Sequence, residues 1–218
     1  ATYDLVGDVR TMFADVNADT FPDAVMVNSG GPIVVRINQG GFFGPAVDWT
    51  LEAFYGTYDT FLADVNNDQR ADLIAIEASG RVYVRLSSAA AGGRFSPAVA
   101  WTTTKGSRGV IGELGTTFAD VTGDGRADMV ILTNSGIYVR PETAGTFPYP
   151  AFAWTTSGWQ GQHGTLFADV DHNGRADAIA VGDGSIEVRL STGSSFAAAT
   201  SWHWPDGYPY GGNYKLAF

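Results

Sequence analysis

The chain contains no cysteine, so disulfide bonds cannot stabilise it, and its stability must come from a large core or from bound metal. Lysine and arginine together number 13 against 23 acidic residues, and the net charge of -10 argues against nucleic acid as a partner. No apolar run is long enough for a membrane span. No window shows the 3.6-residue periodicity of an amphipathic helix, so strands are expected instead.

The residues that are abundant indicate the same fold class. The 218 residues include 28 glycines, and aromatic residues make up 13% of the chain. This composition is typical of short strands joined by many turns. We therefore predict an all-β protein, and its length allows one large domain or two small ones.

One nine-residue pattern occurs four times and organises the sequence. Its clearest copy is DVTGDGRAD, from Asp120 to Asp128, which lies between two apolar segments. Oxygen-bearing side chains stand at positions 1, 3, 5 and 9 of each copy, and a tight turn would make them converge. The predicted metal ligands are Asp15, Asn17, Asp19 and Asp23; Asp64, Asn66, Asp68 and Asp72; Asp120, Thr122, Asp124 and Asp128; and Asp169, Asp171, Asn173 and Asp177.

Calcium is the cation that this pattern predicts, because Ca²⁺ takes six to eight oxygen ligands in a flexible shell whereas Mg²⁺ demands stricter octahedral geometry. Twelve of the 23 acidic residues lie in the four loops, and four divalent cations would nearly neutralise the net charge of -10. The alternative is a set of turns whose carboxylates only cap backbone amides. The first loop departs most from the pattern, since Thr20-Phe21-Pro22 replaces Gly-Arg-Ala.

The acidic pattern belongs to a longer repeat, because its four copies begin 49, 56 and 49 residues apart. In each repeat an apolar strand follows the loop, and then comes a strand that ends in Val-Arg. A phenylalanine and a tryptophan follow on a short run, and turn residues separate the strands as hairpins require. The repeated residues are Arg36, Arg85, Arg140 and Arg189, and Trp49, Trp101, Trp154 and Trp202.

Four short antiparallel strands in a unit of about 50 residues describe the blade of a β-propeller. We predict a single propeller domain over residues 1–218, with repeats at about 1–50, 51–103, 104–155 and 156–203. Residues 204–218 are predicted to form an extra strand that closes the ring, pairs with another chain or belongs to a longer propeller. An open array of blades is the alternative architecture.

The units resemble FG-GAP/VCBS repeats, on the evidence of FADVTGDGRAD and its three counterparts. The resemblance covers nearly the whole chain and implies a β-propeller with calcium in the loops, as in integrin α-subunits. The accompanying VYVRLS…F…W pattern is similar to propeller lectins, namely bacterial ones that bind fucose and a fungal one that binds N-acetylglucosamine. Those lectins usually carry more blades than the four units found here.

Groups that could support catalysis are few. The three histidines, His163, His172 and His203, form no paired metal motif, and the sequence has no nucleophile elbow or phosphate-binding glycine loop. The regular repetition of the aspartates fits metal ligation better than the acid pair of a glycosidase. We therefore predict that the protein is not an enzyme.

The segments that follow each tryptophan vary in sequence and are rich in aromatic and small polar residues, a composition suited to sugar rings and hydroxyls. We predict a lectin that binds glycans through these segments, with Trp159, Trp204 and the four repeated tryptophans as candidates. The repeated arginines are predicted to be structural, each stacking on an aromatic ring and bonding to a neighbouring loop, with direct ligand contact as the alternative. Packing between blades is the alternative role for the repeated tryptophans. The functional alternative is a structural or adhesion propeller that binds protein, or an accessory domain of a secreted enzyme. We also predict an extracellular location, because free calcium is scarce in the cytosol, and a second copy of the chain as a further partner.

Overall fold

A computed structural model describes residues 6–88, 93–102 and 110–202. These residues form eighteen β-strands, and none of them belongs to a helix long and apolar enough to cross a membrane. Sixteen strands make four antiparallel sheets of four strands each, and Ser87–Ser88 (β8) and Arg94–Phe95 (β9) form a separate short ribbon. The four sheets lie in a ring as the blades of a β-propeller, which confirms the predicted fold class. The extra strand predicted at 204–218 lies outside the described residues.

Within each blade the four strands are neighbours in chain order. Blade 1 consists of Arg10–Ala14 (β1), Asp23–Val27 (β2), Val34–Arg36 (β3) and Val47–Asp48 (β4). Blade 2 consists of Asp59–Ala63 (β5), Asp72–Ile76 (β6), Val82–Arg85 (β7) and Val99–Ala100 (β10). Blade 3 consists of Gly115–Ala119 (β11), Asp128–Thr133 (β12), Gly136–Arg140 (β13) and Phe152–Ala153 (β14). Blade 4 consists of Gly164–Ala168 (β15), Asp177–Val181 (β16), Ile186–Arg189 (β17) and Thr200–Ser201 (β18).

The second strand of a blade is covered on both faces by its neighbours. Strands β2 and β6 are buried along their whole length. Because successive side chains of a strand point to opposite faces, two different surfaces must cover them. Leu73 packs against blade 1 in a cluster with Val25, whereas Ile74 packs against blade 3 in a cluster with Met129. This double burial is the reason that the sequence of the second strand is a continuous apolar run.

The tryptophan that follows the outer strand of a blade packs against a phenylalanine of the next blade. Ring centroids are 5.2, 5.4 and 5.1 Å apart in the pairs Trp49–Phe95, Trp101–Phe147 and Trp154–Phe196. In each pair the phenylalanine N–H also donates to the tryptophan carbonyl, at 2.9 to 3.2 Å. Such aromatic pairs add roughly 0.5–1.5 kcal/mol beyond their buried area. These contacts fix each blade to its successor.

Each blade is preceded by a glycine that was not among the residues predicted to have a role. Gly56 donates its N–H to Thr60 Oγ1 at 3.0 Å, and a Cβ at this position would collide with the backbone of Asp59 and Ile76. The same bond recurs in the pairs Gly7–Thr11, Gly112–Thr116 and Gly161–Thr165. A signal was present in the sequence, since the glycine stands eight residues and the threonine four residues before the first aspartate of every loop.

The outer strands β4, β10, β14 and β18 contain two residues each, and all eight of these residues are exposed. A short outer strand offers few unpaired backbone groups to another chain. The core therefore lies between the blades and along their inner three strands.

Candidate metal loops and an inter-blade groove

Each acidic loop connects the first strand of a blade to the second, and its first aspartate gathers the backbone amides of the loop. In the third loop Asp120 Oδ1 accepts from Gly123 N at 2.6 Å and from Asp124 N at 3.2 Å, while Oδ2 accepts from Gly125 N at 2.7 Å. The carboxylates that do the same in the other loops belong to Asp15, Asp64 and Asp169. One side chain thus imposes a tight turn on five following residues.

The tight turn places positions 4 and 6 of every loop at positive φ. Gly123 and Gly125 adopt this conformation in the third loop without steric cost. The other loops use Ala18 and Thr20, Asn67 and Gln69, and His172 and Gly174. A left-handed conformation costs most non-glycine residues about 1–2 kcal/mol, so the hydrogen bonds of the first aspartate outweigh this strain.

The aspartate at position 9 connects the loop to the second residue after the third strand. Asp72 Oδ2 accepts from Val65 N at 3.1 Å, and its Oδ1 accepts from Ser87 N at 2.7 Å. Asp128 accepts from the amides of Val121, Thr122 and Glu142 at 2.9 to 3.1 Å. The four position-9 carboxylates are fully buried, and they belong to Asp23, Asp72, Asp128 and Asp177.

Burial raises the pKa of Asp23, Asp72 and Asp128. Desolvation raises the pKa of Asp72 to about 7 and that of Asp128 to about 6, although the backbone amides that donate to each carboxylate oppose the shift. Desolvation raises the pKa of Asp23 as well. A cation beside such a group would favour its ionised form and reverse the effect of burial.

The fourth loop is the one in which the described residues bring three carboxylates together. Oxygen atoms of Asp169, Asp171 and Asp177 all lie within 4.8 Å of one another. This loop alone has an aspartate at position 3, where the others have asparagine or threonine. Its arginine, Arg175, donates Nε–H to Ser191 O at 3.1 Å.

In the other loops the predicted ligands contact one another or an arginine. Arg70 binds Asp68 at 2.8 Å, and Arg126 binds Asp124 at 3.1 Å. The side-chain amides of Asn17 and Asn66 donate to the position-5 aspartates at 2.9 and 3.1 Å. The first aspartate of each loop also caps backbone amides, as the alternative to metal binding predicts. This capping does not exclude a cation, because a carboxylate has about four lone-pair sites.

A groove lies between blades 1 and 2, beside the segment that follows Trp49. It contains a cavity of about 640 Å³ lined by Trp49, Arg94 and Phe95, and a second cavity of about 280 Å³ lined by aromatic and acidic side chains. Glu52 and Arg85 line both cavities. The smaller cavity is also lined by Phe54, Tyr55, Glu77 and Tyr83.

An ion pair between the two blades marks the centre of this groove. Arg85 is buried on β7 and binds Glu52 Oε1 at 2.6 Å, while the Glu52 side chain remains 73% exposed. The Arg85 guanidinium lies 4.8 Å from the Phe54 ring centroid and donates to Ser96 O at 3.0 Å. Since Phe54 and Glu52 belong to the variable segment after blade 1, the arginine holds this segment against blade 2.

The equivalent arginines have similar surroundings. Arg189 lies 5.3 Å from the Trp159 ring centroid and donates to Ala197 O at 2.9 Å, and Arg140 lies 5.4 Å from the Tyr149 ring centroid. Arg36 donates to Gly44 O at 2.9 Å. These contacts agree with the structural interpretation of the repeated arginines.

The candidate sugar-binding tryptophans fall into different environments. Trp49, Trp101 and Trp154 are at most 5% exposed, which favours blade packing as their main role. Trp159 is half-buried, donates Nε1–H to Glu187 at 3.2 Å and stands five residues after Trp154, as Phe54 does after Trp49. Trp202 is 44% exposed. Trp204 lies outside the described residues.

The histidines show no catalytic arrangement among the described residues. His163 Nε2 lies 2.5 Å from the carboxylate of Asp183 on the surface. His172 is exposed at position 4 of the fourth loop, and His203 lies outside the described residues.

Four-stranded blades with an acidic loop between the first two strands define the class of repeat β-propellers. Family comparison matches the FG-GAP-like repeat at residues 15–75, 64–131 and 120–180, each match beginning at the first aspartate of a loop. The chain therefore belongs to the FG-GAP-like repeat family. No curated protein matches it significantly.

Among solved structures, the chain is similar to a lectin of Agrocybe aegerita described as specifically recognising non-reducing terminal N-acetylglucosamine. The identity is 27%, the TM-score is 0.69, and the alignment covers 88% of this chain and 51% of the lectin. The chain thus spans about half the length of that lectin. The Photorhabdus luminescens Tc holotoxin pore matches with 15% identity and a TM-score of 0.48, over 94% of this chain and 12% of that one.

Proposed function

We propose that this chain is a calcium-binding propeller lectin that binds carbohydrate between its blades and has no catalytic activity. The observation that carries this proposal is the groove between blades 1 and 2, where Phe54, Tyr55 and Tyr83 line the same cavity as the Glu52–Arg85 pair. Sugars present apolar C–H faces, which aromatic rings cover, and hydroxyls, which charged and polar groups bind. Similarity to the Agrocybe aegerita lectin over most of this chain supports the same ligand class.

The proposed binding residues are Glu52, Phe54 and Tyr83 in this groove, and Trp159 with Glu187 in the equivalent place between blades 3 and 4. Two shallow sites on one chain would gain affinity for a clustered glycan through multivalency. Trp204 remains a predicted contributor.

A glycan array in the presence of calcium, followed by calorimetry on any hit, tests the lectin proposal. We expect binding to an N-acetylated or fucosylated glycan, and Glu52→Ala and Tyr83→Ala should each weaken it at least about tenfold, because each removes a group that faces the cavity. Asp8→Ala, which changes an exposed carboxylate before blade 1, outside the groove and outside the segments that follow the tryptophans, is the matched control. Failure of every N-acetylated, fucosylated and galactose-containing glycan to bind would contradict the proposal.

The proposed calcium ligands are the oxygen side chains of the four loops. The fourth loop fits the ion best in its present conformation, since its three converging groups are carboxylates and Ca²⁺ prefers oxygen ligands. Arg70 and Arg126 would have to release their aspartates in the second and third loops. Bound calcium would supply positive charge that holds the converging carboxylates together.

Thermal unfolding of metal-stripped protein, with and without added calcium, tests this second part. Free calcium at 100 times the dissociation constant should stabilise the fold by about 2.7 kcal/mol for each site, because the loops exist only in the native state. The double change Asp169→Asn with Asp171→Asn should remove the stabilisation that calcium gives through the fourth loop. Asp183→Asn, which changes an exposed aspartate outside the loops, should leave the stabilisation by calcium unchanged. An unchanged midpoint in protein shown to be free of metal would contradict calcium binding.

An extracellular location is part of the proposal, because calcium sites of extracellular modules have dissociation constants of about 10⁻⁴–10⁻³ M and fill only outside the cytosol. Immunoblotting of the medium and the cell extract of the source organism would test it. Detection of the protein only inside cells would contradict it.

A structural or adhesion propeller is the second candidate, and one observation favours it. Trp202 is 44% exposed, whereas its counterparts in the other three blades are 3–5% exposed. Val170 is likewise partly exposed, while Val16, Val65 and Val121 are fully buried. This end of blade 4 could contact a partner protein or a second copy of the chain. Light scattering should then detect association that Trp202→Ser abolishes, and a monomer at all concentrations would exclude self-association.

A further inference from the structure

Two serines join the acidic loops of neighbouring blades through continuous chains of hydrogen bonds. Asp128 Oδ2 accepts from Val121 N at 3.1 Å, and the carbonyl of Val121 accepts from Ser191 Oγ at 2.6 Å. Ser191 N then donates to Asp177 Oδ1 at 2.7 Å. The position-9 aspartates of the third and fourth loops are therefore connected through one residue of each blade.

The first and second loops contain the same arrangement. Asp23 Oδ2 accepts from Val16 N at 3.1 Å, Val16 O accepts from Ser87 Oγ at 2.5 Å, and Ser87 N donates to Asp72 Oδ1 at 2.7 Å. Both serines are buried, at 5% exposure for Ser87 and 3% for Ser191, so water does not compete for their hydroxyls. A hydrogen bond in such surroundings is strengthened by the low local dielectric.

The second and third loops lack this bridge, because Glu142 takes the place of the serine. Glu142 N donates to Asp128 Oδ1 at 2.9 Å, as the serines do to their aspartates. Its side chain, however, accepts from Gly145 N at 2.6 Å and lies 3.5 Å from Arg126 Nε. The Glu142 carboxylate thus serves as an acceptor within its own turn, so the side-chain bridge ends here.

All three pairs of neighbouring loops also share a backbone bond, which provides a common baseline. Ala71, Ala127 and Ala176 at position 8 donate to the carbonyls of Asp15, Asp64 and Asp120 in the preceding loop, at 2.7, 2.8 and 2.7 Å. The serine hydroxyl links the position-9 aspartates of the outer two pairs, whereas the central pair has an exposed bond instead, in which Asn67 Nδ2 donates to Asp124 O at 3.2 Å.

We propose that Ser87 and Ser191 are positioning residues that couple calcium binding in two pairs of loops, the first with the second and the third with the fourth. This inference rests on the proposed calcium binding. A cation that fixes Asp177 in the fourth loop also fixes Ser191, which in turn fixes the backbone of Val121 inside the third loop. The second ion then meets a loop that is already ordered and loses less conformational entropy on binding, which makes binding cooperative. The central pair binds more independently.

The test follows individual loops by ¹⁵N NMR during a calcium titration of the full chain. The amides of Gly125 and Gly174 report on the third and fourth loops, since each donates to the first aspartate of its own loop, and the amide of Gln69 reports on the second. Silencing the fourth loop with Asp169→Asn and Asp171→Asn leaves Asp177 in place. We expect this change to weaken calcium binding at Gly125 at least about fivefold, the lower end of typical coupling between sites, and to leave Gln69 unaffected.

Removal of the hydroxyl completes a double-mutant cycle. In a Ser191→Ala background, silencing the fourth loop should no longer change the affinity reported by Gly125. Ser191→Thr should restore the coupling if it folds, and Thr192→Ala is the matched control, because Thr192 is exposed and bonds only within its own turn. A variant that merely loosened the fold would lower all affinities together and would leave the ratio unchanged.

The outcomes separate this inference from the function on which it rests. Calcium binding at both loops with no coupling, or with coupling that survives Ser191→Ala, overturns the bridge while the calcium proposal stands. The position-6 amides of the four loops, each of which donates to the first aspartate of its loop, belong to Thr20, Gln69, Gly125 and Gly174. The absence of a calcium-dependent shift at all four of these amides overturns both.

Discussion

The first and third acidic loops have the same shape, although they differ at the positions on which that shape depends most. The third loop has Gly123 and Gly125 at its two left-handed positions, whereas the first has Ala18 and Thr20. In both loops the first aspartate accepts from the amides of positions 4, 5 and 6. The carboxylate therefore determines the turn, and glycine only lowers its cost.

The two loops also differ in their connection to other blades. Ala127 of the third loop donates to Asp64 O of the preceding loop at 2.8 Å. The first loop has Pro22 at this position, and proline has no N–H to donate. The comparison shows that the loop is a self-contained turn, to which bonds between blades are added where the sequence permits.

The largest expected effect comes from removing the position-9 carboxylate. Asp128→Ala in the third loop leaves the buried amides of Val121, Thr122 and Glu142 without their acceptor, and should destabilise calcium-free protein by about 3–5 kcal/mol. Asp23→Ala in the first loop deprives only Val16 and Asn38 of an acceptor and should cost less. Urea unfolding in the presence of a chelator measures both. Equal losses of stability in the two variants would contradict the predicted difference between the first and third loops.

A smaller effect is expected from pH. The folded-state pKa values of Asp72 and Asp128 are raised to about 7 and about 6 by desolvation, so the native state binds more protons than the unfolded chain between about pH 4 and pH 7. Their contribution to the stability of calcium-free protein is therefore fully present below about pH 4 and is lost as the pH rises through these values. For Asp128 alone it is on the order of 2–3 kcal/mol.

The free energy of unfolding of calcium-free protein, measured between about pH 4.5 and pH 7.5, checks the predicted decrease of stability with pH. Backbone hydrogen bonds to Asp8 lower its pKa. Desolvation raises the pKa of Asp169, but the amides of Gly174 and Asn173 outweigh this effect and lower it. Both carboxyls therefore titrate below this pH range and do not affect the profile within it. Asp128→Asn should flatten the profile more than Asp23→Asn. Stability that increases with pH in calcium-free protein would contradict the assignment.

The smallest effect concerns the left-handed positions. Thr20→Gly should stabilise the protein by up to about 1 kcal/mol because it removes strain, although glycine also gains entropy in the unfolded chain. Gly125→Ala should destabilise it by about 1–2 kcal/mol, since the new Cβ would also lie 2.5 Å from the Asn67 side chain. Thermal unfolding distinguishes the gain of stability expected for Thr20→Gly from the loss expected for Gly125→Ala. A loss of stability in Thr20→Gly would show that the first loop is not strained.

The sequence was sufficient to predict the four strands of each blade, their order and the place of the loops, but not the short ribbon of β8 and β9. A continuous apolar run such as that of β2 and a hairpin turn are local features, so they are visible in one repeat at a time. The glycine and threonine before each loop were equally visible as a repeated spacing, yet their role depends on the backbone of two strands that lie further along the chain.

The contacts between blades could not be predicted in this way. Whether Trp49 is buried or available to a ligand depends on Phe95 in the next blade, and Trp202 with the same local sequence pattern is exposed. Arg85 and Glu52 are 33 residues apart, and nothing in their local sequence indicates that they meet in a groove.

The sequence by itself determined the repeat, the all-β blades and the four acidic turns, because each depends on hydrogen bonds and side-chain alternation within a short segment. Only the tertiary structure decided which carboxylates converge, which tryptophans are buried and how Ser87 and Ser191 join neighbouring loops. Those features arise where side chains from different blades pack together, and the spacing of residues along one strand does not show which residues of another blade will contact it.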